Sequence, residues 1–455
     1  MSGAVNGGPP ISVLSQINWR FSPKANRRAD VNLQPFSRRG LTIIGVLLLV
    51  NIVNFIDRGL PGILVSSIRT ELHLSDVQIG LLIGVSFAVM YSFAALVLAQ
   101  ASDRLGPRLV LVVSLSIWSL MTALSGFAQN FTHLVLARAG VSAGESGSTP
   151  AAHSLIARVF VPERHALVIA IFSLGVPIGG MIGVAAGGVI NDLLNWRAAF
   201  FVVGLPGLAI AILAQFILPK VPPVPKAAGT GRSRFFSDVR YVFTLPTYRH
   251  IAAASALFAT GAYGMGAFIP SLFIRTYHVS TSKIGITLGI ALGIGGLVGT
   301  YTGGALSDWL GREKAYWRQL VPAIGQSFAM PVALTAVLSP NYYVSIAALT
   351  LFQVTTVVYY APTFAVVQSL VPDRMRATAA AVLLFCLTIF GSSLGPLVVG
   401  WISDWLKPQY GDLSLRYALC CLSVPMVWSA VHFAFSSRCI TADLKRTRAI
   451  SDFVR

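Results

Sequence analysis

The sequence predicts an all-α membrane protein of twelve transmembrane helices, arranged as two pseudo-symmetric bundles of six. Three observations predict it. The first is composition: 55% of the 455 residues are hydrophobic and only 11% are charged, with a mean hydropathy of +0.72, which excludes a set of soluble domains of that total length. The second is a series of twelve apolar runs, each near the roughly 20 residues needed to cross a bilayer. The third is a duplication. Gly80 to Gly106 and Gly285 to Gly311 are copies of one apolar run, the first closing in Ser102-Asp103-Arg104-Leu105-Gly106 and the second in Ser307-Asp308-Trp309-Leu310-Gly311, so that Asp308 follows Asp103 by 205 residues. Val161-Pro162-Glu163-Arg164 reappears as Val371-Pro372-Asp373-Arg374, and the helix after each ends in Asp192 or Asp404. Two similar halves joined head to tail in a membrane are the arrangement of secondary transporters.

Taken in order, residues 1–40 form a Gly-, Pro- and Arg-rich cytoplasmic segment with no cleavage-type site after a short apolar core, so the first span is retained as an anchor. The first bundle, 41–219, holds spans at 41–66, 78–101, 109–128, 133–157, 166–190 and 198–218. A cytoplasmic linker follows at 220–249. Its Pro222, Pro223 and Pro225, then Gly229 and Gly231, describe a semi-rigid connection, and Phe235 to Phe243 reads either as an interfacial helix with Arg234 and Arg240 toward headgroups or as an unstructured tether. The second bundle, 250–436, holds spans at 250–275, 283–306, 318–338, 342–368, 377–402 and 415–436, and 437–455 forms a cytoplasmic tail. The fifth span (Gly175, Pro177, Gly179, Gly180, Gly183, Gly187, Gly188) and the eleventh (Gly391, Gly395, Pro396, Gly400) are rich in small and helix-loosening residues. Such spans pack backbone to backbone, here as a sliding interface between the halves or as a static packing seam.

The net charge of +18 raises nucleic-acid binding, and the placement of the charge excludes it. With the amino terminus inside, 26 of the 34 basic residues fall on the cytoplasmic side, against six outside: Arg69, Arg197, Arg275, Lys283, Lys407 and Arg416. This is the positive-inside pattern of a plasma-membrane or inner-membrane protein with both termini cytoplasmic, not a basic patch on a soluble module. Cys386, Cys420, Cys421 and Cys439 show neither metal spacing nor a disulfide framework. No cofactor, metal or enzymatic constellation is expected, and the chain is expected to act as a monomer.

Charges inside the hydrocarbon cost about 2.5 to 3.5 kcal/mol each even on lenient scales, so those kept there mark function. The acidic residues well inside spans are Asp57 and Glu145; the basic ones are Arg58 and Arg138. All four lie on the first and fourth spans. Asn51, Asn54 and Arg58 recur at i, i+3 and i+7 and form a polar stripe that cannot face lipid, while Arg138 and Glu145 stand two turns apart on one face with Ser142, Ser146 and Thr149 around them. A carboxylate in a cavity of alternating wetness exchanges a proton as the cavity opens and closes. Asp57 and Glu145 are therefore the candidate proton sites and Arg58 the movable counter-charge. The alternative is a fixed lock in which Asp57 pairs permanently with one arginine and Glu145 with the other. Asn54, Arg138, Tyr263, Tyr359 and Tyr360 are candidate cavity residues, with Tyr91 beside them. At the cytoplasmic helix ends, Asp103, Arg104, Arg108 and their copies Asp308 and Arg312 form one side of a candidate gate; Glu163, Arg164, Asp373 and Arg374 form the other.

The chain from about Leu41 to Phe435 resembles the major facilitator superfamily, whose loop motif Gly-x-Leu-Ala-Asp-Arg-x-Gly-Arg-Arg/Lys is similar to Gly304 to Arg312 and Ala99 to Arg108. Ala99, Ala101, Pro107 and Trp309 depart from it, which implies a weaker latch. Within that superfamily, Asn54-Phe55-Ile56-Asp57-Arg58 with Arg138, Gly144-Glu145 and Pro150 resembles the spinster-like branch. The resemblance implies the major facilitator fold and proton-linked alternating-access transport of a small amphiphilic or lipid-like solute, with Asp57, Arg58 and Glu145 at the functional positions. The anion-cation symporter branch, which takes up sugar acids, has a very similar Asn-x-x-Asp-Arg segment, so organic anions stand as the alternative substrate. The spans at 250–275 and 342–368 offer Tyr263, Gln353, Tyr359 and Tyr360 but no central cation, which leans toward the lipid-like solute.

Overall fold

A computed structural model describes residues 33–222, 231–372 and 375–454. It is helical in twelve rods: α1 (Arg38–Leu72), α2 (76–105), α3 (Pro107–Ser125), α4 (131–159), α5 (165–193), α6 (Trp196–Ile217), α7 (Pro246–Tyr277), α8 (Thr281–Leu310), α9 (Trp317–Leu338), α10 (342–369), α11 (376–410) and α12 (414–454). Ten stretches of the described residues are long and apolar enough to span a membrane; the last, Thr378–Thr447, contains both α11 and α12. The fourth rod falls outside the ten and is the one that carries Arg138 and Glu145.

Local chemistry sets the rod ends, and the two halves repeat it. Side chains of Ser75 and Ser280 cap α2 and α8, while Asn130 and Asn341 cap α4 and α10, each accepting a backbone N–H that the first helical turn leaves unpaired. α1 and α7 both end on a histidine in the left-handed region, His73 and His278, each with φ 51°. Proline sets the breaks. Pro150 lacks an N–H and its ring crowds the carbonyl four residues back, and α4 divides there into Phe131–Glu145 and Ser148–Val159. Pro362 divides α10 in the same way, into Tyr342–Val358 and Tyr360–Ser369. Glu145 thus closes a helical segment at a kink built by proline.

The bundles meet at the end opposite the termini, the predicted outer side. Ser66 on α1 and Ser271 on α7 share a hydrogen bond of 2.8 Å between their hydroxyls; they are 205 residues apart, so the pseudo-two-fold axis passes between them. To one side α5 packs on α8, and to the other α2 packs on α11. Both seams require glycine: a Cβ on Gly188 would stand 2.5 Å from the carbonyl oxygen of Thr281, and one on Gly80 2.5 Å from that of Pro396. Where α2 crosses α11, residues 81–85 and 387–394 widen into π turns, a distortion common where helices carry function.

The linker does contain a helix, Gly231–Val242, but the tail placed at 437–455 is no free segment. From Ser423 α12 runs unbroken through Val454, the Asp443 carboxylate accepts the N–H of Thr247 at the start of α7 at 2.9 Å, and the Thr447 hydroxyl donates to Leu370 O at 2.7 Å. These bonds dock the tail helix on the second bundle. At the other terminus Leu33 pairs with the α4–α5 connection through Leu33 N–H to Val159 O (2.9 Å) and Val161 N–H to Leu33 O (3.3 Å).

Candidate functional site

The four intramembrane charges gather in the first bundle as two ion pairs. Arg58 Nε donates to Glu145 Oε2 at 2.7 Å, and Arg138 Nη1 stands 3.5 Å from Asp57 Oδ1. Of the four, only Arg58 opens to its surroundings: its side chain is 29% exposed, against 0% for Glu145. This is the pairing of the fixed-lock alternative, with one difference. The two carboxylates are satisfied unequally.

Asp57 has a partner on each oxygen, because the Thr122 hydroxyl of α3 donates to Oδ2 while Arg138 meets Oδ1. Glu145 has a partner only on Oε2; its Oε1 is buried with none. A buried acceptor without a donor is costly, and a buried carboxylate oxygen without one more so. Both oxygens of Asp57 are thus met, while ionised Glu145 keeps one buried oxygen without a donor.

Aromatic faces fix the guanidinium groups. Arg58 lies over Phe55 (5.0 Å to the ring centroid), Phe87 (5.3 Å) and Tyr91 (5.0 Å), and Arg138 lies over the same Phe87 ring (5.3 Å). Each such contact contributes about 0.5 to 1 kcal/mol at an exposed site and more when desolvated. Ser142 on α4 donates to Phe87 O at 2.5 Å and ties α2 to the wall that bears both pairs.

Several expected cavity residues stand elsewhere. Asn51 turns away toward α5 and donates to Phe172 O at 2.8 Å, because Gly175 lets the helices close on it. Asn54 and Arg138 are buried behind the surface. Tyr359 is buried within the second bundle, its ring against Phe258 and Phe433. Tyr263 and Tyr360 are open, at 53% and 48% exposure. Tyr263 follows Arg58 by 205 residues, so the phenol occupies in one half the place the guanidinium holds in the other.

Among the described residues the members of the expected cytoplasmic gate do not meet. Arg104, Glu163, Arg164, Asp308 and Arg312 are exposed, and among the described residues no ion pair joins them. Arg108 instead donates to Gln215 O (3.1 Å) and Leu218 O (3.2 Å) at the end of α6. Asp373 and Arg374 lie outside the described residues, and for Asp103 only the backbone is described.

Thr122, Phe55 and Phe87 escaped the sequence reading. A lone threonine and two phenylalanines in apolar spans carry no pattern; only packing shows that they touch the charges. The break at Pro150, by contrast, had a signal in the matching Pro362.

Comparison with known proteins places this geometry. The family model described as Major Facilitator Superfamily matches residues 47–396. An MFS-type efflux pump of Mycolicibacterium smegmatis is 32% identical over 86% of this chain and 90% of its own length. The sphingosine-1-phosphate transporter SPNS2 of Danio rerio is 27% identical over 84% of this chain and 81% of its own. Among solved structures, a bacterial homolog of the human lysosomal transporter Spinster, in an inward-facing and unoccupied conformation, superposes with a TM-score of 0.80 at 26% identity, covering 89% of this chain and 98% of that one.

Proposed function

The chain belongs to the major facilitator superfamily, as a multi-pass membrane transporter similar to the spinster-like branch, and from that premise we propose that it couples proton movement to transport of a small amphiphile with an anionic head group. Glu145 carries the proton, Arg58 is the movable counter-charge, and Asp57 with Arg138 and Thr122 is the fixed support. The observation that carries the reading is the buried, unpartnered Oε1 of Glu145 beside a fully satisfied Asp57.

The coupling follows from charge. While Glu145 is ionised it holds Arg58, and an anionic solute must compete with it. A proton on Glu145 turns the pair into a neutral acid beside a free guanidinium. The partly open cation then needs a new anion, which a head group entering beside Phe55 and Tyr91 supplies. Proton and head group therefore bind together, and the loaded site is neutral. That neutrality lets the two bundles rock around it without leaving a bare charge in hydrocarbon. The apolar part of the solute is received by aromatic surface: Tyr263 and Tyr360 are open on the second bundle, and the central parts of α7 and α10 offer no lysine or arginine. The sphingosine-1-phosphate named for one relative is of this chemical class.

Both termini lie in the cytoplasm on this reading, and the exposed Arg104, Glu163, Arg164, Asp308 and Arg312 form the inner gate when the molecule faces outward. The test is reconstitution into proteoliposomes with an imposed pH gradient, following a fluorescent lysophospholipid and, in a parallel arm, radiolabelled glucuronate. Gradient-driven movement of the lysophospholipid that is lost in Glu145→Gln is the expected result. Wild-type gradient dependence in that variant overturns the assignment of the proton, and gradient-driven glucuronate movement with none of the lysophospholipid overturns the amphiphile.

A further inference from the structure

The outer seam holds an arrangement that the proton chemistry does not use. At the end of α5 the Asp192 carboxylate accepts both the backbone N–H and the hydroxyl of Ser282, each at 2.6 Å, at the start of α8. At the end of α11 the Asp404 carboxylate accepts the backbone N–H of Asp76 (3.1 Å) and of Val77 (2.8 Å), at the start of α2. In each case a carboxylate of one bundle caps a helix of the other. The first turn of a helix presents unpaired N–H groups and partial positive charge, so these are charge-assisted bonds. Ser282 follows Val77 by 205 residues; the two caps are related by the same axis that sets Ser66 against Ser271.

The surroundings differ on the two sides. Next to Asp404, the buried Asp76 carboxylate accepts hydrogen bonds from Arg275 Nη2 at 3.0 Å and the Ser403 hydroxyl at 2.8 Å, and Arg69 stands 3.1 Å away as a second cation. The equivalent position beside Asp192 is the uncharged Thr281, whose hydroxyl accepts the Asn191 amide at 3.2 Å. Asp404 is half-buried and Asp192 exposed, so water screens the second cap more than the first.

We propose that Asp192 and Asp404 are the outer gating residues of transport: the two cross-bundle caps hold the molecule closed on its outer side, and both must release before the site opens outward. The inference rests on the alternating-access part of the functional reading and not on its proton step. Loss of a half-buried charged cap raises the outward-to-inward ratio about tenfold, and loss of the exposed one about threefold. The caps share no partner, so the double variant multiplies the two effects.

The test measures conformation without any solute. Spin labels are placed at Leu194→Cys and Leu413→Cys, exposed outer positions on the two bundles, in protein whose four native cysteines are serine. Distances between them are read by double electron–electron resonance in liposomes at one fixed pH. Asp404→Ala is expected to enlarge the long-distance population about tenfold relative to the short one, Asp192→Ala about threefold. The asparagine variants keep an oxygen acceptor without the charge and shift it less, in the same order. Glu71→Gln serves as the control, because Glu71 binds Trp196 and Arg197 within the first bundle and its loss leaves the distribution unchanged. An unchanged distribution in Asp192→Asn/Asp404→Asn, which decides the matter should the double alanine not fold, overturns the proposal. A shift of equal size in Glu71→Gln overturns it as well, since any outer lesion would then loosen the seam. Because neither solute nor proton gradient is present, failure of the Glu145 assignment leaves this outcome untouched.

Discussion

Replacing Arg58 by alanine strips Glu145 of the one hydrogen-bond partner it has among the described residues, at a carboxylate whose side chain is 0% exposed in the wild type. Breaking a buried ion pair costs about 3 to 5 kcal/mol, and the lower end applies because Arg58 is itself partly open. Three ring contacts disappear with it, a further loss of about 1.5 to 3 kcal/mol. The carboxylate has one escape, which is to take a proton. From an ordinary glutamate value, neutralisation costs about 4 kcal/mol at pH 7.5 and about 1.6 kcal/mol at pH 5.5. The charge part of the penalty therefore stays near 3 kcal/mol at the higher pH and falls below 2 kcal/mol at the lower. The sign follows: a carboxyl held neutral in the folded state contributes stability that is present at low pH and lost as pH rises.

Thermal unfolding in detergent, followed by intrinsic fluorescence at the two pH values, reads this directly. Arg58→Ala should melt well below wild type at pH 7.5 and recover part of the gap at pH 5.5. Arg58→Ala/Glu145→Gln should melt above Arg58→Ala at pH 7.5, because no charge is left unpaired, while still lacking the ring contacts. Equal melting of the single and double variants at pH 7.5 would refute the reasoning, since it would mean that Glu145 bears no charge for Arg58 to compensate.

Two further outcomes follow from the supports. Thr122→Val removes the donor to Asp57 Oδ2, at a cost of about 1.5 to 3 kcal/mol for a bond to a charged group; Arg58 is then drawn toward Asp57, and the variant should lose transport rate and melting temperature together, where Thr122→Ser restores both. Asp443→Ala frees the N–H of Thr247 and undocks the tail helix from α7, so limited proteolysis should cut within 437–454 in the variant well before wild type.

Much of this was legible in the residues. Apolar runs of the right length mark every rod but the fourth, because a bilayer accepts only helices that satisfy their own backbone. The copies at Asp103 and Asp308 exposed the duplication, and the capping pairs Ser75 and Ser280, Asn130 and Asn341, and the histidines at 73 and 278 extend it into the geometry of the helix ends. The concentration of charge on α1 and α4 was equally plain, since a charge in apolar sequence is visible on its own. What misled was direction. Asn51 and Asn54 share a stripe with Arg58 by spacing, yet Asn54 is buried and Asn51 answers to a carbonyl of α5, because Gly175 brings that helix against it. Tyr359 and Tyr360 are neighbours in sequence, and the turn broken by Pro362 sends one into the bundle and leaves the other open.

The sequence by itself determined the number of spans, their two-fold repetition and the identity of the charged residues, because each rests on burial cost or local helix chemistry that depends on residue type and spacing alone. Only the tertiary structure decided who partners whom: Thr122 with Asp57, Arg58 with Glu145, Asp404 with the start of α2. These contacts join residues 65, 87 and 327 positions apart. A hydrogen bond depends on where two helices cross to within a few tenths of an ångström, and no periodicity along either helix contains that distance.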